Sequence, residues 1–198
     1  MSFFHKIITR HFIIAFMLCS TILIAQKNTV SEYQVKAAFI FNFTQFVEWP
    51  EGTFPSTSVP FVIGVLGENP FGTYLEEIIT GEKVKGCPIT VEYYENTEAI
   101  KSCHILYISK SINLKPSDII NKLADRSILT VSDISDFLEY GGMIRFYTKN
   151  DKIEIHINLD AVNTAKLNIS SKLLRLSTIS KAKKKETNAI LVNGINNK

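Results

Sequence analysis

Apolar residues in this chain fall into three kinds of run, and each predicts a different element. The first is Ser31 to Pro50, SEYQVKAAFIFNFTQFVEWP. Ser31 suits an N-cap, Gln34 sits where a capping-box side chain reaches back, and Val30 and Val35 are placed as a hydrophobic staple. Val35, Phe39, Asn42, Phe43, Phe46 and Val47 then follow a three-and-four spacing, with Ile40 and Phe41 widening the apolar surface. That pattern predicts one long helix packed against a sheet, stopped by Pro50, which pushes Trp49 out of helical geometry. The second kind is the short unbroken run, Phe61–Leu66 and Cys103–Ser109; further strands are expected near Ile89–Tyr93 and at Ile128–Val131. Such runs between turn residues predict strands buried on both faces. The third kind alternates. Met143–Tyr147 and Lys152–Ile157 flank Lys149-Asn150-Asp151 and predict an antiparallel hairpin at the sheet edge.

Between the strands the chain predicts helices. Phe71–Ile79 follows an Asn69 cap with Pro70 in the first helical position, and Glu95–Lys101 is a short helix or turn. A helix capped by Ser117 runs through Ala124, and another runs from Ser132-Asp133 through Glu139 to Gly141-Gly142. The end of the chain adds helices at Ala161–Ala165 and Ser170–Ile179. Strand alternating with helix implies an α/β fold: a single three-layer domain, mostly parallel sheet with helices on both faces and an antiparallel edge hairpin.

The first residues stand apart from that domain. Lys6 and Arg10 precede an apolar stretch, Phe12–Ile24, that ends at the small Ala25. The stretch is short for a membrane span of about 20 residues, so residues 1–25 read as a cleaved export signal, with an uncleaved N-terminal anchor as the alternative. A lipoprotein signal at Cys19 is disfavoured by the bulky Met17 and Leu18 before it. Residues 26–180 form the domain and 181–198 a basic polar tail. The chain has 22 basic and 19 acidic residues in all. Removing Lys6, Arg10 and the tail's five lysines and one glutamate leaves 15 basic against 18 acidic in the body. The high pI is therefore a property of the tail, and nucleic acid is not an expected partner.

Candidate chemistry is sparse. After export two cysteines remain, Cys87 and Cys103, which oxidising conditions make a candidate disulfide. Their spacing does not fit a paired-cysteine metal site, and neither a metal nor a cofactor is expected. His104, inside the apolar CHILYIS run, reads as a core histidine; His156, in an alternating strand, reads as facing the polar side. Cys103 and His104 are no catalytic dyad, because strand neighbours point to opposite faces. The Gly64-Val65-Leu66-Gly67 turn before Asn69-Pro70 lacks the glycine fingerprint of a phosphate loop. Asp133 and Asp136 read as helix-start acids. No nucleophile with a base and no paired carboxylates emerge, which favours a binding or regulatory module over an enzyme.

Seven blocks in order resemble the YfiR family of periplasmic regulators: YQVKAAFIFNFTQFVEWP at 33–50, FVIGVLGENPFG at 61–72, VKGCPITV at 84–91, CHILYIS at 103–109, ILTVSD at 128–133, FLEYGGMIRF at 137–146 and INLDAVNTAKLNISSKLLRL at 157–176. The resemblance implies a periplasmic α/β domain that binds the periplasmic part of an inner-membrane signalling protein, a diguanylate cyclase or a sensor kinase, with dimers and cysteine redox state part of the control. Cys103 matches a family cysteine position. Cys87 stands where the family more often has a basic residue, and no second cysteine pair follows GGMI, so a two-disulfide switch does not carry over. The expected contact face is the GGMIRF hairpin or the Trp49-Pro50 end of the first helix. The rival reading is a small-ligand binding protein using the loops at the strand C-termini, Gly67–Phe71, Ser109–Ser111 and Ser132-Asp133. Trp49, Asn69, Phe71, Met143 and Arg145 are the candidate partner or ligand residues.

Overall fold

The computed structural model describes residues 31–180. The expected export signal, the Val30 half of the staple and the basic tail lie outside the described residues. In chain order the elements are α1 (Glu32–Phe46), β1 (Val47–Glu48), β2 (Phe61–Leu66), α2 (Tyr74–Ile79), β3 (Lys83–Val84) and β4 (Cys87–Tyr94). A single 3-10 turn (Thr97–Ala99) precedes β5 (Ile105–Ile108), α3 (Pro116–Lys122), β6 (Leu129–Ser132), β7 (Ile144–Lys149) and β8 (Lys152–Asn158). The described chain ends with α4 (Leu159–Thr164), β9 (Asn168–Ile169), α5 (Ser171–Arg175) and β10 (Ser177–Ser180).

Eight strands make the main sheet, in the order β10-β8-β7-β6-β5-β2-β4-β3. The pairs β2–β4, β2–β5, β5–β6, β6–β7 and β8–β10 are parallel, while β7–β8 and β3–β4 are antiparallel. The mostly parallel α/β domain is therefore present, with its hairpin. Both antiparallel turns are two residues long with positive φ at each, Lys85-Gly86 and Asn150-Asp151, the backbone that a tight hairpin requires. Beyond the hairpin lies one further strand, β10. The expected Ser170–Ile179 helix stops at Arg175, and Ser177–Ser180 leaves it to pair with β8. Ser and Thr in STIS gave this strand no apolar signature.

Side chains on the two sheet faces enter separate cores. Phe61, Ile63, Val65, Ile105, Tyr107, Val131, Ile144 and Phe146 pack under α1, α2 and α4. Leu66, Leu106 and Ile108 pack under α3 and the segment around Phe137-Leu138. Helices thus cover both faces, as the buried strand runs require.

Helix α1 is rotated from the expected face. Lys36, Ala37, Ile40, Phe43 and Thr44 point inward, whereas Asn42 is exposed and Val35, Phe39 and Phe46 are half-buried. A helix that is apolar almost all round carries little periodic information, so its spacing did not single out the buried side. The helix ends at Phe46, earlier than Pro50 demands. Val47 and Glu48 pair instead with Ile169 and Asn168, and Ser170 N donates to Phe46 O at 2.8 Å.

Three other expected helix starts differ, two of them through side-chain ties. Helix α2 begins at Tyr74, because Asn69 Oδ1 accepts from Phe71 N at 2.9 Å in a turn rather than capping a helix at Pro70. Helix α3 begins at Pro116 after Lys115, so Ser117 is not its cap. The Ser132–Glu139 helix is a series of turns. Ser132 belongs to β6, its Oγ donating to Ile108 O at 2.7 Å, and Asp136 takes φ 59°.

Candidate functional site

Asp133 leaves the C-terminal end of β6 as a buried carboxylate. It is 5% exposed, and its donors come from α1 and from the C-terminal end of β5. Lys36 Nζ, 1% exposed in the second turn of α1, lies 2.6 Å from Oδ2. Tyr33 OH donates to the same oxygen at 3.2 Å, Tyr107 OH donates to Oδ1 at 3.0 Å, and the exposed Lys110 Nζ stands 3.2 Å from Oδ2. Lys36 also pairs with Glu32 at 2.5 Å and lies 4.4 Å from the Tyr33 ring centroid. Glu32 in turn accepts from Thr148 Oγ1 at 2.9 Å. The site therefore ties α1 to β5, β6 and β7 at one end of the sheet.

Charge balance makes this burial tolerable. Burial opposes the Asp133 carboxylate, but the hydrogen bond and charge of Lys36, with the charge of Lys110, outweigh it and hold its pKa below the usual value. Burial likewise opposes the Lys36 ammonium, and Asp133 with Glu32 overrides it and raises its pKa. Burial and then the Asp133 charge push the Tyr107 phenol up, and the same two causes raise Tyr33. The expected role of Asp133 as a helix-start acid is thus corrected, because the chain here is strand followed by turn and the carboxylate is spent on a lysine. Lys36, Tyr33 and Tyr107 were not singled out by motif. The available signal was a lone lysine near the start of an apolar helix, which needs a buried acid somewhere.

The neighbouring loops are closed onto one another. Gly67, at φ 92°, leaves a Cβ position only 2.9 Å from Ser111 Oγ, and Glu68 N donates to that oxygen at 2.8 Å. Phe71 is buried, its ring 4.8 Å from Tyr107 and 5.9 Å from Tyr33. Exposed Asn69 donates to Gly72 O at 2.8 Å and to Tyr93 OH at 3.2 Å. Asn69, Phe71, Ser111 and Asp133 are therefore brought to one end of the sheet, as the strand-end reading expected, with their polar atoms engaged among themselves.

Trp49, Met143 and Arg145 lie elsewhere and apart. Trp49 is 6% exposed, edge-on to Phe61 at 5.0 Å, and helps line a cavity of about 370 Å³ with Thr44, Gln45, Glu48, Lys83 and Lys85. Met143 is 8% exposed and lines an apolar cavity of about 290 Å³ with Ile120, Leu123, Ile128 and Ala161. Neither is the exposed apolar contact residue that was expected, because both were recruited to pack against the sheet. Arg145 is half-buried on β7, opposite Ser132 and His156.

Cys87 and Cys103 are both free, so the expected disulfide is not formed. Cys87 opens β4 and Cys103 leads into β5, and these strands lie on opposite flanks of β2. Two strand spacings separate them by at least about 9.5 Å, beyond the roughly 7 Å that a disulfide spans. Their side chains also diverge. Cys103 joins the core under α3, while Cys87 shares the strand face of Ile89, in the core under α1. Burial pushes the Cys103 thiol up to about 12. Mass spectrometry of the folded, non-reduced protein should therefore find both thiols free, with Cys103 alkylated only after unfolding; a Cys87–Cys103 crosslinked peptide would contradict this arrangement.

His104 is 6% exposed, stacks 4.7 Å from Phe61, and accepts from Val62 N at 2.9 Å through Nδ1. Burial lowers its pKa, so it is the neutral core histidine its run implied. No cluster of His, Cys, Asp or Glu with metal-binding geometry occurs among the described residues.

The pattern of the YfiR/HmsC-like family matches residues 33–178, from the first turn of α1 into β10. The chain belongs to this family, whose known members are periplasmic regulators. No curated protein matches the chain. Among solved structures, a conserved domain protein from Vibrio cholerae O1 biovar El Tor is similar at 12% identity and a TM-score of 0.47. That likeness covers 75% of this chain and 60% of the other.

Proposed function

We propose that this chain is a non-enzymatic regulator, exported by residues 1–25, that binds and controls the extracytoplasmic part of an inner-membrane signalling protein of the diguanylate cyclase or sensor kinase type. Family membership over residues 33–178 carries this reading. The buried polar cluster at the end of β6 is taken up internally: Asp133 binds Lys36, Tyr33, Tyr107 and Lys110.

The test is affinity capture of the tagged full chain from membranes of its own host, oxidised and reduced, paired with deletion of its gene. Recovery of one membrane signalling protein, whose output changes on deletion, is the expected result. With Cys87 and Cys103 free and apart, capture should not depend on reduction. Recovery of no membrane signalling protein overturns the reading. Ligand binding would then be the better account, and the Met143-lined cavity, rather than the closed strand-end loops, is where it would be sought.

A further inference from the structure

Alternation along β7 divides its side chains. Ile144 and Phe146 enter the core under α1, while Arg145, Tyr147 and Lys149 stand on the opposite face. On that face α3 and the Phe137-Leu138 segment cover the middle strands. Over β7 and β8 the face is open: Tyr147 is 37% exposed, and the Glu154 side chain 45%. The antiparallel register places His156 beside Arg145, Glu154 beside Tyr147 and Lys152 beside Lys149.

A solvated polar face is ordinary for an antiparallel pair. Two observations set this one apart. The first is a cation without an acid. Arg145 Nε is buried with no hydrogen-bond partner, and no carboxylate among the described residues forms an ion pair with this guanidinium. The acid nearest along the face, Glu154, is taken by His156 at 3.3 Å. The guanidinium is otherwise half-buried, and its remaining N–H groups, bonded to no acceptor among the described residues, suit a carboxylate. The second is the sign of the face. Arg145, Lys149 and Lys152 against Glu154 make it net positive, on a body whose charge is net acidic.

The aromatic neighbours say what kind of acceptor fits. The Arg145 guanidinium lies 5.2 Å from the Tyr147 ring centroid, and the Tyr147 and His156 rings are 5.3 Å apart. Arginine and tyrosine together are the composition of a protein-binding hot spot. The face is an open stretch of sheet, whereas small anions are usually held in concave sites. We propose that this face docks an acidic segment of the membrane partner, with an Asp or Glu side chain bridging the Arg145 guanidinium and neighbouring apolar atoms covering Tyr147. The inference rests on the regulator reading above and names the surface that reading needs.

The experiment compares capture of the membrane partner by the full-length wild-type chain, Arg145→Glu, Arg145→Lys and Tyr147→Ala, with folding of each checked by circular dichroism. Reversal at Arg145 should reduce capture by at least about tenfold. Lysine should restore only part of it, because a point charge cannot replace the fork. Tyr147→Ala removes an exposed ring without opening the core and should reduce capture as well, a result that stands even if Arg145→Glu fails to fold. Exchanging the partner's contacting acid for arginine should rescue Arg145→Glu. Equal capture by wild type, Arg145→Glu and Tyr147→Ala overturns the surface and leaves the regulator reading intact. No capture by wild type overturns both. Competition by free glutamate at millimolar concentration, with no membrane partner needed for saturable binding, overturns the protein partner in favour of a small carboxylate.

Discussion

Replacing Lys36 by methionine should lower the stability of this protein by about 3–5 kcal/mol, the usual cost of stranding one member of a buried ion pair. The two side chains are 1% and 2% exposed and 2.6 Å apart, so neither charge has water to fall back on. Methionine keeps the volume and the helix propensity of lysine, and the loss is therefore electrostatic rather than steric. Tyr107 and Tyr33 would still donate to Asp133, but the remaining cation, Lys110, is 58% exposed and well screened. The double substitution Lys36→Met with Asp133→Leu should recover most of the loss, because it removes both charges. Urea denaturation of the four proteins of that cycle measures the coupling directly. Equal midpoints for wild type and Lys36→Met would show that the pair contributes nothing.

The same pair fixes a pH profile. Asp133 has its folded pKa depressed below 3.8, so its contribution is present above that value and is lost as pH falls through the folded pKa. Lys36 has its folded pKa raised above 10.5, so its contribution is present below that value and is lost as pH rises through the folded pKa. Between these limits the pair's contribution should be flat. In Lys36→Met the carboxylate is buried without its ammonium and its pKa must rise. The variant should then gain on the wild type as pH falls toward 4, and the gap between their denaturation midpoints should narrow.

What could be seen in the chain beforehand follows from how completely each element is buried. FVIGVL and CHILYIS are surrounded by core on both faces, so their unbroken apolar runs announce strands without ambiguity. The β7–β8 hairpin was legible because one face is buried and the other is open, which is what alternation records. Strand β10 was not, because its pairing to β8 is made by backbone groups of STIS and no side-chain pattern reports them. The helix expected after Ser132 failed for a related reason. Serine and aspartate at that position are good helix starters locally, yet here Ser132 bonds to Ile108 and Asp133 is claimed by Lys36 across 97 residues. Long-range polar ties of this kind leave no local spacing. Trp49 and Met143 were expected among exposed contact residues, yet both are buried, Trp49 edge-on to Phe61 and Met143 against an apolar cavity. Arg145 is half-buried on the face of β7 opposite Ile144 and Phe146.

The rotation of α1 has its own test. Phe43 should be among the most costly positions in the protein, and Asn42 beside it among the least. Phe43 is fully buried, and its ring stacks 6.0 Å from Phe146 of β7, itself 1% exposed, so truncation would open a cavity bounded by helix on one side and sheet on the other. Neither wall can collapse easily: β7 is held between β6 and β8, and α1 is anchored by Lys36 at one end and by the β1–β9 pairing at the other. Phe43→Ala should therefore cost about 3–5 kcal/mol, and Phe43→Leu less than about 1.5 kcal/mol. Asn42→Ala should change stability by no more than about 0.5 kcal/mol, because its side chain points to solvent. The spacing of apolar residues alone puts both side chains on one inward face and predicts that both substitutions hurt. Denaturation midpoints for the two alanine variants separate these arrangements. A large loss at Asn42 would mean that α1 packs in the register the sequence pattern suggested, with Lys36 turned away from Asp133 and the buried ion pair unable to form.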